Sequence, residues 1–201
     1  MNVIDRRLKI ALAASLLALP LSACGINSVP TAEENAKAKW ADVQAAYQRR
    51  ADLIPNLEAV AKGASGSEKE ILTQVIEARS KATSVQLNAG DLTDPAKVAA
   101  FQEAQSQLSG PLSRLLVNVE AYPNLKSQET FRDLLPQLEG TENRITTAVQ
   151  KYNAAVQDYN TTIRTFPDAI GAKIFYGAKT MEQFKATTPG AEQAPKLDFG
   201  K

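Results

Sequence analysis

Histidine is absent from all 201 residues, and cysteine occurs once, at Cys24. The first absence removes Ser-His-Asp and Cys-His constellations, His-ligated zinc and imidazole acid–base catalysis. The second removes disulfides and any multi-cysteine metal site. Glycine is sparse, at 10 residues, and none forms a phosphate loop: Gly63-Ala64-Ser65-Gly66 lacks the Gly-Lys-Ser/Thr that would complete one. Carboxylate-only and Ser/Lys chemistries are what remain, and no motif points to either. The expectation is a non-enzymatic protein without cofactor or metal.

Charge is concentrated usefully at the start. Arg6, Arg7 and Lys9 precede an uncharged apolar run from Ile10 to Leu19, and Leu21-Ser22-Ala23-Cys24 follows. A basic segment, a short apolar run and small residues behind it make a secretory signal, too short for a permanent membrane span. Leu21 to Cys24 resemble the lipobox of bacterial lipoproteins, in which the cysteine is acylated and the leader cut away. The plainer alternative is a cleaved signal with a stray thiol. On the lipobox reading Cys24 becomes a thioether, so no thiolate nucleophile survives. Loss of residues 1–23 leaves 178 residues (201 minus 23), with 20 Lys+Arg against 21 Asp+Glu, a net charge of −1. That balance favours neither nucleic acid nor an anionic surface. Each buried acyl CH₂ contributes about 0.8 kcal/mol and one chain binds marginally, so such anchors carry two or three. Gly25 follows the cysteine; by resemblance to lipoprotein sorting in diderm bacteria, this favours the outer membrane facing the periplasm.

The rest reads as helix. A linker over 24–30 leads to Thr31-Ala32-Glu33-Glu34, a capping box that opens a first helix reaching Gly63. Ser67-Glu68-Lys69-Glu70 opens a second helix to Leu87, and Asp94-Pro95 caps a third that runs to Tyr122. Pro123-Asn124 turns the chain into a fourth helix ending near Phe166, about 60 Å long at 1.5 Å per residue. Beyond Pro167 come a short apolar segment (Ile170, Ile174, Phe175, Tyr176) and, from Thr187, a poorly ordered tail, so 167–201 lie outside the bundle.

Apolar residues recur every seventh position in two series per helix. Phe131, Leu138, Ile145, Tyr152, Tyr159 and Phe166 form one series of the fourth helix, with Leu135, Glu142, Val149, Val156 and Ile163 beside it. The first helix repeats Trp40, Tyr47, Ile54, Ala61 alongside Val43, Arg50, Leu57, Ala64; the third repeats Phe101, Leu108, Leu115, Tyr122 alongside Val98, Gln105, Leu112, Val119. Such 3-4 spacing with short connections implies an all-α, antiparallel four-helix bundle over 31–166, its first and fourth helices long.

Arg50 and Glu142 occupy apolar slots in this pattern. One account pairs them inside the bundle; the other makes them a polar site between helices that binds a small ligand or supports hydrolysis. Pro55, Pro111 and Pro136 interrupt helices, and Pro55 frees the carbonyl of Ala51. That position is either a kink or a polar notch of Arg49, Arg50, Asp52 and Asn56. Asn153 and Asn160 follow Tyr152 and Tyr159 one heptad apart, flanking the seam; they stand in solvent, belong to a docking face, or bond to a neighbouring helix, and the internal role is the one expected.

These same residues carry a resemblance. Tyr47-Gln48-Arg49-Arg50-Ala51-Asp52-Leu53-Ile54-Pro55-Asn56-Leu57, Glu120-Ala121-Tyr122-Pro123-Asn124-Leu125-Lys126 and Glu139-Gly140-Thr141-Glu142-Asn143-Arg144-Ile145 resemble, in order, the signature segments of the LemA family. Tyr152-Asn153, Tyr159-Asn160, Phe166-Pro167 and Ala194-Pro195-Lys196-Leu197-Asp198-Phe199 are similar too. The likeness implies a bacterial envelope protein with a helical bundle outside an N-terminal membrane anchor, and no defined reaction. Two departures are the lipobox in place of an uncleaved membrane helix, and Pro136 where relatives continue the helix with polar residues. The expected role is docking of an envelope protein partner at the membrane surface. The membrane is held through lipidated Cys24, and Arg49, Arg50, Asp52, Asn56, Glu142, Asn143 and Arg144 are the candidate structural or partner residues.

Overall fold

Seven α-helical segments appear among the described residues: α1 (Val3–Leu53), α2 (Pro55–Gly63), α3 (Gly66–Ser84), α4 (Pro95–Val117), α5 (Pro123–Ser127), α6 (Glu129–Thr162) and α7 (Asp168–Gly171). They come from a computed structural model that describes the backbone of residues 3–117 and 119–185, and side chains from 27 to 185 except those of 118 and 120. Short 3₁₀ turns cover Ala89–Asp91 and Val119–Ala121, and a π turn covers Ala172–Tyr176. The class is all-α; Pro55 divides the expected first helix into α1 and α2, and the expected fourth is divided at Gln128. The expected leader, Cys24 and the expected tail from 187 lie outside the residues whose side chains are described. No helix among the described residues is long and apolar enough to cross a membrane.

Helix boundaries follow local chemistry that the sequence signals only partly. Thr31 caps nothing: its hydroxyl donates to the carbonyl of Asn27 at 2.7 Å, the back-bond of a threonine inside a helix. The helix passes through because Val29, Ala32 and Ala36 form a buried stripe, so 24–30 is helical backbone and not a separate linker. Pro55 ends α1 outright, and α2 starts with that proline at its first position. The Ala51 carbonyl thereby freed accepts the Arg79 Nε–H from α3 at 2.7 Å. Ser67 lies inside α3, which starts at Gly66 without a side-chain cap. Asp94 is the cap expected, accepting the Ala96 and Lys97 amides at 3.0 and 3.3 Å. The expected fourth helix divides into α5 and the 34 residues of α6, and Pro111 and Pro136 are accommodated inside α4 and α6.

Contacts fix the packing. Ser28 meets Asp168, Trp40 meets Tyr152 and Arg50 meets Glu142, so α1 and α6 run antiparallel. Gln105 reaches Ala82 and Arg114 reaches Gln74, so α3 and α4 are antiparallel as well. Two apolar cores result. One joins Leu53, Leu57, Leu72, Leu112, Phe131 and Leu138; the other gathers Val29, Trp40, Phe101, Tyr152, Val156 and Tyr159. Phe166, expected in the seam, is 82% exposed because α6 ends at Thr162.

The second core needs a segment the sequence does not announce. Gly177, at φ 55°, takes a left-handed conformation that a side chain disfavours and closes the π turn, with the Ala178 amide donating to Ala172 at 3.0 Å. The chain then lies along α6 as a strap over 178–185. Asn153 donates to the Phe184 carbonyl and accepts the Phe184 amide, both at 2.8 Å. Asn160 does the same with Met181, both bonds at 2.9 Å. The hydroxyls of Tyr152 and Tyr159 donate to the carbonyls of Glu182 and Lys179 at 2.9 and 3.0 Å. Seven helical residues advance about 10.5 Å, and the strap covers that rise in three, about 3.5 Å each, which is nearly full extension. Each Tyr-Asn pair therefore grips one stretch of strap, and Met181 and Phe184 drop into the core. Phe184 stacks on Trp40, ring centroids 5.8 Å apart, and meets Phe101 and Tyr152 edge-on. The expectation that the two asparagines bond internally holds; the partner is the strap and not a neighbouring helix.

Candidate functional site

Between the two cores lies one polar layer. Arg50 enters from α1 with none of its surface exposed. Nη1 donates to the Ser109 hydroxyl at 2.7 Å and to the Glu142 carboxylate at 3.0 Å. Nη2 donates to the side-chain oxygen of Gln105 at 2.6 Å and to its carbonyl at 3.4 Å. The guanidinium also sits 5.1 Å from the centre of the Tyr47 ring, a cation–π distance. Four of its five N–H donors are thus spent on the chain itself, and Nε is buried without a partner. Glu142 keeps 27% of its side chain in water. Burial pushes the Tyr47 hydroxyl above the usual tyrosine range against the lowering pull of Arg50. The pairing of Arg50 with Glu142 is therefore present, and both Nη groups of Arg50 are held by the protein's own side chains and backbone.

The notch expected at Pro55 does not form. Arg50 turns inward, Arg79 occupies the freed carbonyl, and Asp52 and Asn56 stand exposed on the surface, Asp52 accepting from Gln48 at 2.6 Å. Arg49 goes elsewhere. It joins Asn143, Arg144 and Lys151 of α6 along a surface groove of about 570 Å³ between α1 and α6. Alanines 45, 46 and 148 floor the groove, and Asp42 is the single acid on its rim. Helix geometry explains the convergence: Arg144 and Lys151 are seven residues apart and share one side of α6, while Asp42, Ala46 and Arg49 share the facing side of α1. Three cations over a small-residue floor form a shallow cradle suited to an acidic segment. Arg49, Asn143 and Arg144 are brought together; Asp52 and Asn56 are not part of this group.

A hollow of about 220 Å³ opens beside the polar layer and shares Tyr47 and Gln105 with it, Gln48, Gln86 and Phe101 being among its other walls. Glu68 was not anticipated as a structural residue. Only 5% exposed, it accepts the backbone N–H of Asn124 at 3.0 Å, tying the Tyr-Pro-Asn-Leu turn to α3. Its lone signal was an acidic residue on the apolar side of a helix.

The sequence model of the LemA family matches residues 39–199. Among curated relatives, the Magnetosome protein MamQ of Magnetospirillum gryphiswaldense is 26% identical over 182 residues, covering 82% of this chain and 66% of that one. The Magnetosome protein MamQ 2 of Paramagnetospirillum magneticum is 27% identical over 157 residues, covering 70% and 58%. Protein LemA of Metamycoplasma hominis is 26% identical over 124 residues, covering 62% and 52%. The chain thus spans between about half and two thirds of the length of these relatives. The three signature segments supply Tyr47, Arg50 and Glu142 to the polar layer and Asn124 to Glu68, and the similar Tyr-Asn dipeptides hold the strap. With the match covering most of its length, this chain belongs to the LemA family.

Proposed function

We propose that the protein is a lipid-anchored envelope protein that docks an acidic segment of a protein partner in the α1–α6 groove. Family membership and likeness to MamQ support a membrane-associated envelope protein of the LemA type. The observation that carries the docking role is the gathering of Arg49, Arg144 and Lys151 over an alanine floor, in a groove open to solvent. A non-enzymatic role accords with the polar layer, where the Arg50 donors hold Gln105, Ser109 and Glu142 in register between helices. That use of Arg50 weighs against the small-ligand or hydrolytic reading. The anchor is Cys24 after leader cleavage, with the outer membrane as the site in a diderm host. The antiparallel pairs α1–α6 and α3–α4 form the four-helix part of this reading.

Two experiments test it. Cys24→Ala leaves an unlipidated precursor or a soluble secreted form; a leader-cleaved mutant that stays in the detergent phase refutes the anchor. A photo-crosslinker at Thr147, inside the groove, captures a partner in cells, and Arg49→Glu with Arg144→Glu abolishes that adduct while the melting temperature holds. Adducts that survive the reversal, or appear equally from Thr73 on α3, refute the docking role.

A further inference from the structure

Among the described residues, exposed large apolar side chains are confined almost entirely to one short stretch. Of the six among the described residues, five are Phe166, Ile170, Ile174, Phe175 and Tyr176, between 42% and 82% exposed; the sixth is Val117. Five large apolar side chains left in water within eleven consecutive residues concentrate apolar surface at one place in the fold, and soluble surfaces seldom carry such a concentration without an occupant.

Its place in the fold names the occupant. The Ser28 hydroxyl donates to the Asp168 carboxylate at 2.6 Å, so α7 and the π turn pack beside the part of α1 just after Cys24. Ser28 lies four helical positions after Cys24, about 6 Å along the axis. Acyl chains on Cys24 would thus enter the bilayer beside the patch. Around it, residues 163–180 carry Arg164, Lys173 and Lys179 against Asp168 alone. Glu33 and Lys37 of α1 also lie beside Tyr176 and Lys179 and pair with each other, leaving the segment's own excess basic. Basic groups beside exposed aromatic and aliphatic side chains suit an anionic lipid interface, where such groups sink about 5–10 Å into the headgroup boundary. The chain's overall balance hides this local excess.

We infer that the segment Phe166–Tyr176 inserts into the membrane surface beside the anchor, holding the bundle upright and presenting the α1–α6 groove away from the lipid. The inference rests on the tethered reading above and adds a second, non-covalent contact to it. The strap then has a further purpose: by gripping 178–185 along α6, Tyr152, Asn153, Tyr159 and Asn160 fix where the inserting segment ends.

The test uses the full anchored chain in phosphatidylcholine–phosphatidylglycerol vesicles containing brominated lipid. Trp40 is the single native tryptophan and is buried, so Phe175→Trp adds one reporter at the patch. That reporter loses about half its emission to the bromines at interfacial depth, while Trp40 is unaffected. Val117→Trp, about 40 Å away along the helices, stays bright. Both sites are exposed, so melting temperatures match the parent. A chain that floats with the vesicles yet shows no quenching at 175 overturns the inference and leaves the tether standing. Lack of lipid quenching combined with shielding from acrylamide assigns the patch to a second copy or another protein and also overturns it. Failure to float overturns the tether, and this inference with it.

Discussion

Replacing Asn153 and Asn160 by alanine removes four hydrogen bonds, two donated and two accepted, between α6 and the strap backbone. At about 0.5–1.5 kcal/mol each, their loss totals about 2–6 kcal/mol. Two outcomes compete. The bundle bears the whole cost, or the strap peels away and returns chain entropy, about 1–2 kcal/mol per freed residue. Peeling also exposes Met181 and Phe184, about 1.5–3 kcal/mol apiece. For eight residues the entropy returned is comparable to everything the strap gains, so local release is the cheaper route. The double mutant is therefore expected to stay folded and lose amide protection at Met181 and Phe184. Its melting temperature should fall by several degrees, at about 2–4 °C per kcal/mol for a domain of this size. Trp40 reports the same event, since loss of the Phe184 stack lets water reach the indole and shifts its emission to the red. Unchanged protection, emission and melting temperature together would refute the role given to the Tyr-Asn pairs.

Two further outcomes follow from the polar layer and the buried hydroxyls. Arg50→Ala should cost about 3–5 kcal/mol, because it strands Gln105 and Glu142. Glu142→Ala should cost about 3–5 kcal/mol as well, because it leaves the fully buried Arg50 guanidinium with only the neutral partners Ser109 and Gln105. In denaturant melts the double mutant should fall short of the sum, and additivity would show that the pair is not coupled. Burial holds the hydroxyls of Tyr47, Tyr152 and Tyr159 above the usual tyrosine range. Their contribution is complete below about pH 10, the unfolded value, and is lost as pH climbs through the folded ones. Absorbance titration should show part of the five-tyrosine signal rising late, with the strap released at the same pH; a single ordinary step for all five would contradict the burial.

Much of the helical frame was legible because heptad spacing is a strong signal. Trp40, Val43, Ile54, Leu57, Phe101, Leu108, Leu112, Leu115 and Tyr152 are buried as their spacing requires, and two charges at apolar slots correctly pointed to one ion pair. Boundaries were harder. Capping residues such as Thr31 mark a start only if nothing upstream packs, and Val29 packs. Pro55 broke its helix, because Arg79 was placed to satisfy the carbonyl it freed. The strap had no periodicity to reveal it: an extended segment held by side chains of another element shows only two apolar residues three apart, Met181 and Phe184. Arg49, Asn143 and Arg144 were singled out through their motifs, yet Lys151 and the alanine floor that make them a groove needed the pairing of α1 with α6.

The central claim is most directly tested by the composition of the peptide that crosslinks to position 147 in cells, read by mass spectrometry. An acidic groove-filling segment, rich in Asp and Glu and lost when Arg49 and Arg144 are reversed to Glu, is the predicted result. A basic or purely apolar peptide at that position would contradict it.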